Sequence, residues 1–376
     1  GWGYNHINQI GQASEALRVV GQVTQQAFGS LPCGEVVTAV TLRNRNGLTA
    51  RLLTYGASIQ SVMAPDVEGR LAEVTLGHPD LQSYLDFPQY AGATVGRVAN
   101  RTAGARFTLD GMEHSLAAND SGNSLHGGLR GFDKVNWQVD EASETGVTFT
   151  HTSPDGDEGY PGTLAVSATY RLDATNRLSV EYVARTDAPT LVNLSNHAYW
   201  NLAGAGSGRS AMRHLLTIAA DYYLPVDDEL IPTGELRPVE GTVFDFRAAA
   251  PIKDRVRTAS EPQLLAGRGF DHNWVLGANP SGQPRPVAVL HDPWSGRRMT
   301  IDTNQPGLQF YSGNFFDGTV AGHGGWLARM GDFVALEPQA FPDTANQPAF
   351  GSIRLDPGGT YRNVIGWTFS CEERDI

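Results

Sequence analysis

Lysine is nearly missing from this 376-residue chain: Lys134 and Lys253 are the only two, and arginine supplies the remaining positive charge. The formal net charge is −12 and no basic run occurs, so nothing in the chain is suited to a phosphate backbone or an anionic bilayer. That argues against nucleic acid and membrane as partners. Cysteine is equally scarce. Cys33 and Cys371, near opposite ends, exclude a disulfide framework and a cysteine-based zinc site, leaving two buried or free thiols as the expectation. No apolar run approaches the ~20 residues that a membrane helix needs. No charged-then-apolar leader pattern opens the chain, and cytoplasmic placement is slightly favoured over export. Residues 1–26, beginning "GWGYNHINQIGQ", fit poorly with the rest of the chain and are set apart as an N-terminal extension or expression remnant.

Helical periodicity is also sparse. Only "HPDLQSYL", capped by Asp80, and "SEPQLLA", capped by Ser260 with Pro262 in its first turn, read as short helices. What the chain has instead, from about Phe28 onward, is short alternating runs cut by turn residues. Leu164, Val166, Ala168, Tyr170 and Leu172 alternate with polar or small residues, and after "DATN" the alternation resumes at Leu178, Val180, Tyr182 and Ala184. This pattern predicts a β-hairpin. Asp110-Gly111 in "LDGMEHSL" predicts a second, tight one. With 40% hydrophobic residues, the chain is able to bury a large core. No linker or internal repeat divides it. The expectation is all-β: one large antiparallel sandwich spanning 27–376.

Five polar clusters interrupt the strands. They are "GRVANRTAG" (Arg97, Asn100, Arg101), "NSLHGG" (His126), "LSNHAYWNL" (His197), "GFDHNWVL" (Asp271, His272) and "VALEPQAFPD" (Glu337). In an extended segment, His197, Tyr199 and Asn201 would share one face while Asn196 and Trp200 take the other. An imidazole, carboxylates, an arginine and amides fit acid–base work on a polyhydroxylated substrate. The competing chemistries lack their signatures: neither H-E-x-x-H nor C-x-x-C is present, no glycine-rich strand-to-helix loop, no G-x-S-x-G. A glycosidase using Asp271 and Glu337 stays open on the residues alone. His272, adjacent to Asp271, is expected on the opposite face and in the core.

"GRVANR", "NSLHGG", "LSNHAYWNL", "GFDHNWVL", "GLQFYSGNF" and "LEPQAFPD", in that order, resemble the aldose 1-epimerase (galactose mutarotase) family, over about Phe28 to Phe369. The resemblance implies a single β-sandwich of the galactose mutarotase type, interconverting the α- and β-anomers of free aldoses by acid–base ring opening. It implies His197 as general acid and Glu337 as general base. Arg101, His126 and Asp271 match sugar-binding positions, with Asn100, Gln309 and Tyr199 as further site residues. No cofactor or metal is implied. The expected partner is a monosaccharide, and the expected state a monomer or homodimer. Two departures stand out: Pro338 follows Glu337 where Thr is usual, which puts local strand geometry in question, and Thr102 stands where Ile is common. A hexose-6-phosphate epimerase or a sugar-binding module of the same fold are the alternatives; the first would need further Arg or Lys at the cleft.

Overall fold

The computed structural model describes residues 24–279 and 281–372. Within them the alternating run predicts the hairpin that forms, Leu164–Leu172 against Arg177–Thr186 in unbroken register from Leu164↔Thr186 to Leu172↔Leu178. At the turn the Asp173 carboxylate accepts from the backbone N–H groups of Thr175 and Arg177, and Asn176 takes the left-handed conformation that closes it (φ 63°). The Asp110-Gly111 turn likewise joins Arg106–Leu109 to Met112–Ser115.

That first hairpin lies in a nine-stranded antiparallel sheet. Its spatial order is Gln138–Ser143, Gly146–Ser153, Leu164–Leu172, Arg177–Thr186, Tyr361–Cys371, Arg297–Thr303, Arg285–His291, Leu215–Ile218 and Ala250–Pro251. A second sheet has six strands, ordered Tyr199–Trp200, Val334–Gln339, Gly307–Tyr311, Asp271–Val275, Tyr222–Leu224 and Arg237–Pro238. A five-stranded meander from Thr24 to Glu73 adds a third. The sheets meet through aromatic side chains. Trp200 of the six-stranded sheet lies 5.8 Å from Trp367 and 5.7 Å from Phe369 of the nine-stranded one, centroid to centroid. The chain is about 45% strand and 9% helix, as the scarcity of helical patterns predicts.

Two details differ from the sequence reading. The Pro262–Gly267 helix is capped by Glu261, whose carboxylate accepts from the Gln263 N–H, one position after the expected Ser260. The first strand starts at Thr24, three residues inside the segment set apart as an extension; the rest of that segment lies outside the described residues. Cys33 and Cys371 are both free, as expected, and both are exposed. Among the described residues no helix is long and apolar enough to cross a membrane.

Arg97, in the first polar cluster, is structural. Its guanidinium is buried and donates to the carbonyls of Ser153, Pro154 and Pro161 and to the hydroxyls of Ser153 and Thr190, tying three loops together. Four residues on, the same segment turns toward a cleft.

Candidate active site

The cleft opens over one face of the six-stranded sheet. Cross-strand register sets its floor: Tyr199, Ala335, Tyr311 and Asp271 form one row, and Glu337, Gln309 and Asn273 the next. Because side chains alternate, these rows share a face. The intervening Trp200, Val334, Leu336, Phe310 and His272 point into the apolar core. Asp271 and His272, adjacent in sequence, are therefore divided between cleft and core as expected. The His272 ring packs 4.9 Å from Phe244. Pro338 leaves the strand undistorted, since the ladder runs from Gly307↔Gln339 to Tyr311↔Ala335 without a bulge.

His197 reaches the cleft by a different route. The strand predicted over "LSNHAYWNL" is broken in two, Ser195–Asn196 and Tyr199–Trp200, with His197 between them. Its N–H donates to Ala93 O (2.8 Å) and its carbonyl accepts from Gly92 N (3.0 Å). The Asn196 side chain donates to Gly92 O and accepts from Ala198 N, bracing the break. Gly92 is required here: its φ is +68° and a Cβ would lie 1.9 Å from Ile59 O. Asn201, expected on the cleft face, instead donates to Arg209 O and Asp332 O outside the site, because the chain leaves the sheet after Trp200.

The acid and base candidates face each other. His197 Nε2 stands 3.5 Å from Glu337 Oε1, and both residues are at most 5% exposed. Asp271 accepts from Gln309 Nε2 at 2.8 Å, and its other oxygen lies 3.9 Å from Arg101 Nη1. Arg101 Nε donates to Asp120 at 2.7 Å. Asn100 and His126 interlock: the Asn100 N–H donates to His126 Nδ1 (3.1 Å) while the His126 N–H donates to Asn100 O (3.0 Å). That bond engages the Nδ1 lone pair and leaves the ring proton on Nε2. One donor atom from each of His126, His197 and Glu337 lies within 4.8 Å of the others, a spacing that would bring a metal ion to mind. A neutral imidazole whose Nε2 carries the proton donates to an oxygen there instead of ligating a cation.

Burial controls the ionisation. It pushes the Glu337 carboxyl well above the usual carboxylate range; the Asp271 charge adds to the push and Arg101 opposes it. Burial also lowers the His197 imidazole to about 4 and takes His126 well below its ordinary value. Asp271 is raised by the same cause, against the pull of Arg101 and Gln309. Burial thus favours the neutral form of the facing pair, with the proton on Glu337 and His197 uncharged. Its tautomer, carboxylate with imidazolium, has the same net charge.

Asn100, Arg101, His126, His197, Tyr199, Asp271 and Glu337 all line this cleft, which encloses about 140 Å³. Gln309 lies behind the lining, its amide occupied by Asp271. Sequence reasoning missed Gln89, Tyr90, Leu125, Tyr311 and Phe315 in the lining, and Asp120 behind Arg101. Tyr311 was within reach, two residues from Gln309 on the same face. Tyr90, left-handed (φ 57°) on a loop, stacks 5.6 Å from His197 and lies 4.6 Å from the tilted ring of His126, and no periodic signal marks it.

Comparison with known proteins bears on the family and the fold. The model of the aldose 1-epimerase family matches residues 38–368. A galactose mutarotase from Rattus norvegicus is 44% identical over 348 residues, covering 93% of this chain and 98% of that protein. An aldose 1-epimerase from Haemophilus influenzae is 38% identical, over 92% of this chain and 98% of that protein. A solved structure of an aldose epimerase homologue from C. elegans superposes with a TM-score of 0.82 at 31% identity, covering 89% of this chain and 98% of that one.

Proposed function

The chain belongs to the aldose 1-epimerase family and interconverts the anomers of aldoses, and we propose that His197 and Glu337 carry out the proton transfers. The observation that carries this reading is their facing placement, 3.5 Å apart, in a buried cleft lined with hydrogen-bonding groups. Glu337, as carboxylate, takes the proton of the C1 hydroxyl. His197, as imidazolium, gives a proton to the ring oxygen. The C1–O5 bond breaks and the C1–O1 bond becomes the aldehyde carbonyl. Rotation about C1–C2 turns the other carbonyl face to O5, and the transfers run backwards: His197 recovers its proton from the O5 hydroxyl and Glu337 returns one to O1.

The ionisation preferences suit this cycle. Protonated Glu337 with neutral His197, the form favoured by burial, is the state reached when the ring is open. Closed sugar requires the opposite tautomer. Sugar hydroxyls donating to Glu337, and a ring oxygen accepting from His197, replace the water both charges have lost and narrow the gap between the two forms. Each transfer is worth ~10²–10⁴-fold in rate. Arg101, His126 and Asp271 hold the remaining hydroxyls, Asn100 and Gln309 fix their orientation, and Tyr199 offers its ring beside C1. Residues 27–376 act as one catalytic unit.

The hexose-6-phosphate alternative has little support in this cleft. Among the described lining residues Arg101 is the single Arg or Lys, and it already faces two carboxylates, so a phosphate would meet uncompensated negative charge. Polarimetry on freshly dissolved α-glucose and α-galactose tests the reading, alongside a chromogenic glycoside and a hexose 6-phosphate. Accelerated mutarotation of the free sugars with no glycoside cleavage is expected. Glycoside cleavage, or acceleration confined to the phosphate ester, would overturn it.

A further inference from the structure

Arg101 stands between two carboxylates and is bonded to only one of them. Its Nε donates to Asp120 at 2.7 Å, while Nη1 stays 3.9 Å from Asp271. At that separation in a mostly buried site the Arg101–Asp271 attraction is strong, and a long flexible side chain would ordinarily close the gap. Something holds it back.

Asp120 is built to do so. It opens a two-residue turn in which Asp120 and Asn123 exchange both backbone hydrogen bonds, with Ser121 (φ 49°) and Gly122 (φ 91°) left-handed at the centre. The residues on either side are clamped. Asn119 accepts from Leu125 N and donates to Leu125 O and Gly128 O; Asn123 accepts from Gly104 N and donates to Glu229. Beyond the turn, Ser124–Leu125 pairs with Arg101–Thr102, placing Leu125 opposite Arg101 itself. The turn and the arginine are thus fixed to one another by backbone, and the Asp120 carboxylate is delivered to Nε.

We infer that Asp120 is a positioning residue for the sugar-binding step: it holds the Arg101 guanidinium off Asp271, so that fork and carboxylate each keep a free edge for substrate hydroxyls. Without its charge, Arg101 collapses onto Asp271 and the two groups satisfy each other in place of the sugar. This rests on the reading that Arg101 grips substrate.

The test is a double-mutant cycle on folded protein, with anomer exchange followed by polarimetry. Asp120→Asn keeps the turn chemistry and removes the charge. It should raise KM about tenfold, the scale of one lost charge-assisted hydrogen bond, with kcat nearly unchanged. Arg101→Lys, which lacks the Nε–H, should raise KM on its own, and adding Asp120→Asn to it should do no further harm. Wild-type KM in Asp120→Asn, beside a raised KM in Arg101→Lys, would overturn the positioning role and leave Arg101 as a sugar ligand. Wild-type KM in Arg101→Lys would remove the underlying reading. A lowered melting temperature with additive losses would make Asp120 merely structural and equally overturn the inference.

Discussion

The two faces of the six-stranded sheet both carry buried side chains, of opposite chemistry. On the cleft face Tyr199, Glu337, Gln309 and Asp271 are all at most 8% exposed; on the core face Trp200, Leu336, Phe310, His272 and Trp274 are at most 1% exposed. Both faces carry a titratable side chain moved far from its ordinary value by burial. His272 is lowered to about 3, and Glu337 is raised well above the carboxylate range. A perturbed ionisation therefore does not single out a functional group. His272 faces Phe244 and Tyr223, whereas Glu337 faces an imidazole across a cleft that admits solvent. Function follows from what a buried group faces.

If the division is real, substitutions on the two faces fail in different ways. Trp274→Ala should have the largest effect on stability, because this fully buried indole packs among Phe246, Phe270 and Phe310. A loss of about 3–5 kcal/mol is expected from chemical denaturation, with kcat of the folded protein near wild type. A collapse of kcat at unchanged stability would break the comparison.

Asp271→Asn lies three residues away on the opposite face. It keeps the size of the side chain and loses the charge that faces Arg101 and, on the proposed reading, sugar hydroxyls. KM should rise by about tenfold, with little change in melting temperature, measured by steady-state polarimetry and calorimetry on the same preparation.

The smallest effect is on the pH dependence of stability. His272 is neutral in the fold down to about 3, while in the unfolded chain it protonates near 6.5. Below pH 6.5 the unfolded state binds a proton that the folded state refuses, so this residue's contribution to stability is lost as pH falls through that window. His272→Phe should flatten the fall of melting temperature between pH 6.5 and 4, since the raised carboxylates are common to both proteins. An unchanged slope would mean that His272 is not held neutral by the core.

Much of this arrangement was legible in the sequence, and for a physical reason. Where residues lie on regular strands, period-two alternation decides the face, so the sequence pattern alone separates Asp271 from His272. The ordered motifs supplied His197, Glu337, Arg101 and His126. Legibility ended where the chain leaves regular structure. The break at His197–Ala198 sent Asn201 away from the face that strict alternation assigns it, Tyr90 and Phe315 arrive on loops, and Asp120 acts on an arginine nineteen residues earlier through a turn. The helix cap moved by one residue because Ser260 and Glu261 both carry acceptors and only the local path chooses between them.

The central claim is that two facing groups on the cleft side perform the chemistry, and anomer exchange at equilibrium, read by NMR saturation transfer, tests it most directly. Glu337→Gln retains size and hydrogen bonding but accepts no C1 proton; His197→Asn stays polar but delivers none to the ring oxygen. With circular dichroism matching wild type, each should lower kcat by ~10²-fold or more and change KM far less. If either variant kept more than about half of wild-type kcat, proton transfer by this pair would be contradicted.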